Sequence, residues 1–384
     1  MKWPARLQAF WRAKTNLRLS DDSKPYVHLF VCIYIGIAIV YIHQFHYPVY
    51  LTVSFPKLRI SKDEMEYLVA TSNGQTICPP EPPDLEGPFP VDIHTVSNQE
   101  ELSRELNHVE KGGTFKPRNC KAAQRLAVII PLRDRADQLM ILLKYLHKIL
   151  KSQQRDYQIF VAEQTPGSTW NKGRLYNKAV DTIIKMSPEF SCFIFHDVDL
   201  IPENDRNIYE CSTENPIHMS VAINIYRYML MYKGLVGGCL AVSREQYIRF
   251  NGYSNEFWGW GGEDDDLFLR INEAGYIIQR PSSNIGRYKM IRHLGNPVVN
   301  DMRYELVSNR AASIHGGLDS LHDIDCRLIE SRDDKLYTTL LIDVGTKSKK
   351  VSQLESAALS RSWFKSLWEF VRTVNDNEQK ELYT

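Results

Sequence analysis

Residues 126–130, LAVII, form a short continuous apolar run, followed by PLRDR (131–135) and then by ADQLMILLKYLHKIL (136–150), whose apolar residues recur at helical spacing. A run this short, closed by Pro131 and charged residues, reads as a strand buried on both faces. YQIFVA (157–162) is a second such run, WNKGRLYNKAVDTIIKM (170–186) a second helix and CFIF (192–195) a third strand. Strand, helix, strand, helix, strand predicts an α/β chain with a parallel, doubly wound sheet. Ligands in such sheets bind beyond the carboxyl ends of the strands. Two of those ends carry charged sequence, Pro131-Leu132-Arg133-Asp134-Arg135 and His196-Asp197-Val198-Asp199. The fold is expected to close with TTLLIDVG (338–345).

The whole chain has 384 residues, enough for two or three domains, with 43% hydrophobic and 24% charged residues, as a packed core requires. Its net charge of +1, from 47 basic and 46 acidic residues, leaves no broad field to attract nucleic acid. A mean hydropathy of -0.35 excludes a polytopic membrane protein. Twenty tyrosines and seven tryptophans supply many rings able to pack on sugars or at a membrane interface.

One apolar segment, VHLFVCIYIGIAIVYI from Val27 to Ile42, is at the short end of what spans a hydrocarbon core of ~30 Å. Lys2, Arg6, Arg12, Lys14, Arg18 and Lys24 precede it, and no basic residue follows before Lys57. That asymmetry predicts a cytosolic N-terminus and a luminal body. His43-Gln44-Phe45-His46-Tyr47 provides no small-residue cleavage site, so an uncleaved type II signal anchor is expected, short enough for a thin early-secretory membrane. The expected organisation is a cytosolic tail (1–26), anchor (27–43), stem (44–77), luminal catalytic domain (78–345) and C-terminal extension (346–384). Six cysteines lie beyond the anchor, Cys78, Cys120, Cys192, Cys211, Cys239 and Cys326, which in a lumen could form three bridges in any of 15 connectivities.

The strand ends carry the chemistry. Asp197 and Asp199 suit a hard divalent cation that also holds a diphosphate, the plain alternative being a turn ahead of Pro202. Arg133 and Arg135 suit phosphate oxygens or a uracil edge. Neither GxGxxG nor GxxxxGK[ST] occurs. The densest signal is Phe257-Trp258-Gly259-Trp260-Gly261-Gly262-Glu263-Asp264-Asp265-Asp266, which opens a helix, LFLRINEAG. Acids suit a helix N-terminus, but capping does not require four of them and accounts for neither tryptophan. A sugar stacked on a ring, with a carboxylate taking its hydroxyl proton, accounts for both. His293 and Met290, three residues apart, are candidate metal ligands.

FHDVDLIP, FWGWGGEDDD and the MIRH stretch, in this order, resemble the β-1,4-galactosyltransferases, type II Golgi enzymes of GT-A fold, over about residues 78–345. The resemblance implies a Rossmann-like GT-A domain behind the anchor and inverting, direct-displacement transfer from a UDP-sugar to terminal N-acetylglucosamine, with Mn2+. It assigns the metal to Asp199, Met290 and His293. It assigns the nucleotide and donor to Pro131, Leu132, Arg133, Asp134, Arg135, Trp170, Asn171, Lys172, Val198 and Asp199, with Trp170-Asn171-Lys172 standing where the family usually has Phe-Asn-Arg. Trp260 matches the tryptophan of a mobile loop that closes over donor and acceptor. Gly262, Glu263, Asp264 and Asp265 match the acceptor segment, with Asp264 as base, and Arg303 matches a further acceptor contact. Cys78–Cys120 and Cys192–Cys211 are the disulfides implied.

One position departs from the galactose-specific pattern. The family places a Tyr just before its Val/Phe-Gly-Gly strand, and here that position is Leu235. Leu removes a hydroxyl near the donor sugar's C2 substituent and opens room for an N-acetyl group. Invertebrate members with a small aliphatic residue there transfer N-acetylgalactosamine, so the resemblance implies UDP-GalNAc as donor and GalNAcβ1-4GlcNAc as product, on glycoprotein or glycolipid glycans. UDP-Gal is the alternative within the class, and an inactive membrane-anchored lectin or accessory subunit the alternative outside it. Residues 351–384 read as an amphipathic helix, carried by Leu354, Leu359, Trp363, Phe364, Leu367, Trp368, Val371 and Val374, that suits docking on the catalytic domain, a protein partner or a membrane surface.

Overall fold

The computed structural model describes residues 76–292, 298–300, 302–308, 316–349 and 351–353, all within one compact unit, Ser54–Thr384. The expected anchor, nearly all of the stem, His293 and the helix expected after residue 353 lie outside the described residues. Among the described residues no helix is long and apolar enough to cross a membrane.

The first part of the domain comprises α1 (Gln99–Glu105), β1 (Thr114–Phe115), β2 (Arg125–Leu132), α2 (Ala136–Ser152), β3 (Asp156–Gln164), α3 (Lys172–Met186) and β4 (Phe190–His196). The second comprises β5 (Leu200–Pro202), β6 (Ile217–His218), β7 (Ala222–Ile223), β8 (Cys239–Ser243), α4 (Arg244–Arg249), α5 (Glu263–Glu273), β9 (Arg287–Met290), α6 (Arg303–Ser308), β10 (Arg327–Asp333) and β11 (Thr338–Asp343).

The main sheet runs β10-β11-β3-β2-β4-β8-β6, with β1 beside β3. Its centre, β11-β3-β2-β4, is parallel as expected. Its margins are antiparallel, so the sheet is mixed rather than wholly parallel. The cause is connection length: β10 and β11 are joined by a short turn, which permits only an antiparallel pair, whereas helical crossovers join β2, β3 and β4.

The alternation of β2 explains why the sheet is covered on both faces. Leu126, Val128 and Ile130 pack with Leu139, Leu142, Leu143 and Leu146 of α2. Ala127 and Ile129 point the other way and pack with Leu175, Tyr176, Ala179 and Val180 of α3. Each fully buried aliphatic chain contributes roughly 1.5–3 kcal/mol, and β2 is the strand both layers share.

A smaller sheet, β5-β9-β7, follows the carboxyl end of β4. A buried polar chain joins the two sheets. His196 Nε2 lies 3.0 Å from the Tyr209 hydroxyl, which lies 3.2 Å from the Tyr288 hydroxyl on β9. Burial pushes His196 down to about 4, so its ring stays neutral at physiological pH. Disulfides join Cys78 to Cys120 and Cys192 to Cys211, the pairs the resemblance implies, while Cys239 and Cys326 are buried thiols.

Candidate active site

The segment expected to hold the nucleotide starts where β2 ends. Pro131 and Leu132 are buried, and Asp134, with φ of 55°, turns the chain out of the sheet through a left-handed conformation that Asp tolerates better than most residues. The turn sends its two arginines to different partners. The Arg133 guanidinium lies 5.1 Å from the Trp170 ring and donates to the Ser168 carbonyl at 3.3 Å. Arg135 donates to Asp199 Oδ2 at 3.2 Å. Arg133 and Trp170 therefore form one flat, partly exposed surface, suited to a base or an anion.

The rest of the Trp170-Asn171-Lys172 segment is used otherwise. Asn171 is fully buried: its Oδ1 caps α3 by accepting from Arg174 N at 2.9 Å, and its Nδ2 donates to the Asn255 carbonyl at 3.0 Å. The fold engages both ends of that amide. The Lys172 ammonium lies among carboxylates, 3.0 Å from Asp197 Oδ1, 3.5 Å from Asp264 Oδ2 and 3.8 Å from Glu263 Oε1.

Asp197 and Asp199 thus separate. Asp197 belongs to the Lys172 cluster, while Asp199 lies beside Met290: β5 and β9 pair with Leu200 opposite Met290, and Ile291 N donates to the Asp199 carbonyl at 2.7 Å. Val198 between them is buried. The Met290 backbone is fixed in turn by Asn224 Oδ1, which accepts from its N–H at 2.8 Å. A nearly buried carboxylate and a thioether on neighbouring strands are a donor set that fits a soft-tolerant divalent ion such as manganese. The third expected ligand, His293, is outside the described residues, and among the described residues no group of three His, Cys, Asp or Glu side chains is arranged to hold a metal ion.

The four acids at the start of α5 have three different roles. Asp266 forms a buried pair with Arg270 at 2.6 Å within the helix, a structural use. Asp265 accepts from the Tyr232 hydroxyl at 2.8 Å. Glu263 and Asp264 face Lys172. Burial and the Asp264 charge push Glu263 up to about 7, and burial raises Asp264 while the Lys172 charge opposes the rise. One oxygen of each, Glu263 Oε2 and Asp264 Oδ1, is buried without a hydrogen-bond partner among the described residues. A buried carboxylate oxygen left open is costly unless something else hydrogen-bonds to it, such as an acceptor hydroxyl.

The two tryptophans of FWGWGG differ as sharply. Trp258 is 3% exposed and lies 4.5 Å from the Arg174 guanidinium, in the core. Trp260 is 56% exposed, with its backbone hydrogen-bonded to Val298 and Asn300. Gly262, at φ of 95°, is the residue from which α5 starts, and a side chain there would meet Arg303 and Phe257. Arg303 accordingly lies beside Gly261 and Gly262, the glycines that lead into α5. Gly259 N donates to the Trp170 carbonyl at 2.8 Å and so links the loop to the nucleotide side.

Sequence reasoning missed three residues here. Tyr232 lies in an exposed apolar stretch with no motif. Gly237 is close enough to Asp264 that a side chain there would overlap its carboxylate. Arg280 donates to the carbonyls of Lys233 and Leu235, at 2.7 and 2.9 Å, and so holds the segment that carries Leu235. Only Gly237 had a signal, the Gly-Gly pair before an apolar run.

Comparison with known proteins agrees with this geometry. The family model for the N-terminal region of glycosyl transferase group 7 matches residues 78–212, and that for the N-terminal domain of galactosyltransferase matches residues 217–294. Beta-1,4-galactosyltransferase 3 of Rattus norvegicus is 38% identical over 271 residues, 70% of this chain and 68% of the relative. Beta-1,4-galactosyltransferase 1 of Homo sapiens is 36% identical over 273 residues, 71% and 68% of the two chains. The catalytic domain of Drosophila beta1,4galactosyltransferase 7, solved with xylobiose, superposes with a TM-score of 0.52 and 27% identity over 60% of this chain and 98% of that one. A mutant of the same enzyme, solved with manganese, UDP-Gal and xylobiose, gives a TM-score of 0.51 and 26% identity over the same shares. The mixed α/β fold is thus that of the GT-A glycosyltransferases. The chain is a glycosyltransferase and belongs to the β-1,4-galactosyltransferase family.

Proposed function

We propose that this chain transfers a hexose from a UDP-sugar to the 4-hydroxyl of terminal β-N-acetylglucosamine, with inversion at the anomeric carbon. The observation that carries the reading is Asp264 Oδ1, a buried carboxylate oxygen with no hydrogen-bond partner among the described residues, on the segment whose Gly261 and Gly262 Arg303 borders. The acceptor oxygen attacks the anomeric carbon as the bond to UDP breaks, the bonding pair leaves with UDP, and the hydroxyl proton passes to Asp264. The exposed Trp260 ring stacks on sugar, Arg303, Gly262, Glu263 and Asp265 border the acceptor, and Arg133 with Trp170 receives the nucleotide. Asp199 and Met290, with His293, would hold Mn2+, which when bound supplies positive charge against the diphosphate leaving group.

The donor is galactose on the names of the relatives, all galactosyltransferases. Leu235 is the one observation that favours N-acetylgalactosamine instead, because it removes a hydroxyl and opens volume at the donor's C2. Full-length chain assayed for UDP release with UDP-Gal and UDP-GalNAc, with and without Mn2+ and a β-N-acetylglucosamine acceptor, decides between them. Absence of release from either donor sinks the transfer reading and favours the lectin alternative.

We propose that residues 78–345 are the catalytic domain and that the chain is a single-pass type II protein with that domain in the Golgi lumen. Two disulfides support an oxidising compartment. The basic flank and apolar run before residue 43 support the anchor. Residues 346–384 are a candidate partner- or membrane-binding extension.

A further inference from the structure

Lys172 is 8% exposed and opens α3, yet its charge serves two other elements. Asp197, just past β4, is its nearest partner, and Glu263 and Asp264 at the start of α5 complete the cluster. We propose that Lys172 is a positioning residue on the acceptor side of the reaction: anchored by Asp197, its ammonium fixes the direction of the Asp264 carboxylate and supplies the charge against which that carboxylate takes the acceptor's proton. This rests on Asp264 acting as the base of the transfer reading.

The geometry divides the two oxygens of Asp264. Oδ2 is tethered by Lys172 at 3.5 Å, and Oδ1 is left without a partner among the described residues. Gly237 leaves the room in which that carboxylate sits. Among the described residues, the charged and titratable groups that act on Asp264 are Lys172 and Tyr176 from α3, Asp197 from the end of β4, Tyr232 from the segment before β8, Tyr253 from the loop after α4, and Glu263 and Asp265 from its own helix. Lys172 is the only cation in that set. Burial opposes its charge, but Asp197, Asp264 and Glu263 outweigh burial and hold the ammonium well above its usual range. Burial and the Asp264 charge push Glu263 up to about 7, and burial raises Asp264 as well while the Lys172 charge opposes the rise.

The alternative role for Lys172 is a contact to the nucleotide, and the two roles separate by measurement. Full-length Lys172→Gln and Lys172→Arg are compared with the unmodified chain by UDP titration calorimetry with Mn2+, and by turnover against pH with a β-N-acetylglucosamine acceptor. Lys172→Gln is expected to lower kcat about 10-fold or more near pH 7, to leave UDP affinity within about threefold, and to move the acid limb of kcat to higher pH. The sign follows because a carboxylate that loses a cationic neighbour binds its proton more tightly. Lys172→Arg keeps the charge and is expected to keep the limb in place. A folded Lys172→Gln with UDP affinity reduced 10-fold or more and kcat unchanged makes Lys172 a nucleotide contact and overturns the proposal, as does one whose acid limb does not move. Should Lys172→Gln not fold, a displaced limb in Lys172→Arg overturns it and an unmoved limb with normal UDP affinity supports it. Absence of transfer by the unmodified chain is a different failure: it removes the transfer reading itself, and this proposal with it.

Discussion

Gly237 and Asp264 pack so closely that a methyl group on Gly237 would overlap the Asp264 carboxylate. The glycine lies on the segment leading into β8 and the acid opens α5, so the contact fixes where the proposed base, Asp264, can sit. Gly237 lies outside the left-handed region, so alanine strains no backbone there and only the carboxylate must move. Gly237→Ala is therefore expected to cut turnover about 10-fold or more while leaving the melting temperature nearly native. Unchanged turnover would mean that Asp264 does not need its present position.

Asp264→Asn retains shape and removes basicity. General-base effects of about 10²-fold or more in kcat are the usual scale, and acceptor KM should change much less, because the amide still fits the site. Near-normal turnover would pass the role to Glu263, whose Oε2 is equally open.

Much of the fold is legible because β2 is a run of aliphatics between charged ends, and runs of this kind have few alternatives. The margins of the sheet were not legible, since antiparallel pairing depends on connections that carry no motif. At the site, motifs identified neighbourhoods and not partners. Trp258 and Trp260 are two residues apart in one glycine-rich segment, yet one is core and the other exposed. The motif that contains Asn171 says nothing of the ordinary task of a short polar side chain just before a helix, capping it, which the Asn171 side chain performs. Lys172 meets Asp197, Glu263 and Asp264 only because β4 and α5 come together in three dimensions, which no local pattern encodes.

Asp199→Ala should abolish Mn2+-dependent transfer, since it removes the buried carboxylate beside Met290. Magnesium should substitute poorly for manganese, because a thioether is a soft ligand and magnesium prefers oxygen. Full activity of Asp199→Ala in the presence of chelator would show the metal to be elsewhere or absent.

Glu263 gives the fold a pH dependence of defined sign. Its carboxyl is pushed from 4.5 to about 7 by burial and then by the Asp264 charge, so between these values the folded chain binds a proton that the unfolded chain has released. Stability contributed by this group is therefore full below about 4.5 and is lost as pH rises towards 7. Glu263→Gln cannot ionise, so relative to the unmodified chain it should gain thermal stability between pH 5 and pH 8, by a few degrees if ~1–3 kcal/mol is involved. Parallel melting curves for the two proteins across that range would exclude a raised Glu263.

Donor choice is the most direct test of Leu235. The residue is half-buried, and its segment is held from behind by Arg280 through the carbonyls of Lys233 and Leu235. Val236 is buried next to it and Gly237, two residues on, packs against Asp264, the proposed base. Pockets discriminate strongly when a polar group loses its partner and only modestly by bulk. Leu235→Tyr adds both bulk and a hydroxyl where the donor's C2 substituent is expected. It should raise kcat/KM for UDP-Gal relative to UDP-GalNAc by about 10-fold or more, since a hydrogen bond gained on one donor is a clash with the other. Arg280→Met should blur the preference without reversing it, because it loosens the segment and leaves Leu235 in place. A competition assay with both donors reads the ratio directly. If the unmodified chain already prefers UDP-Gal, the volume opened by Leu235 does not select the N-acetyl sugar, and the donor is the one the relatives' names carry.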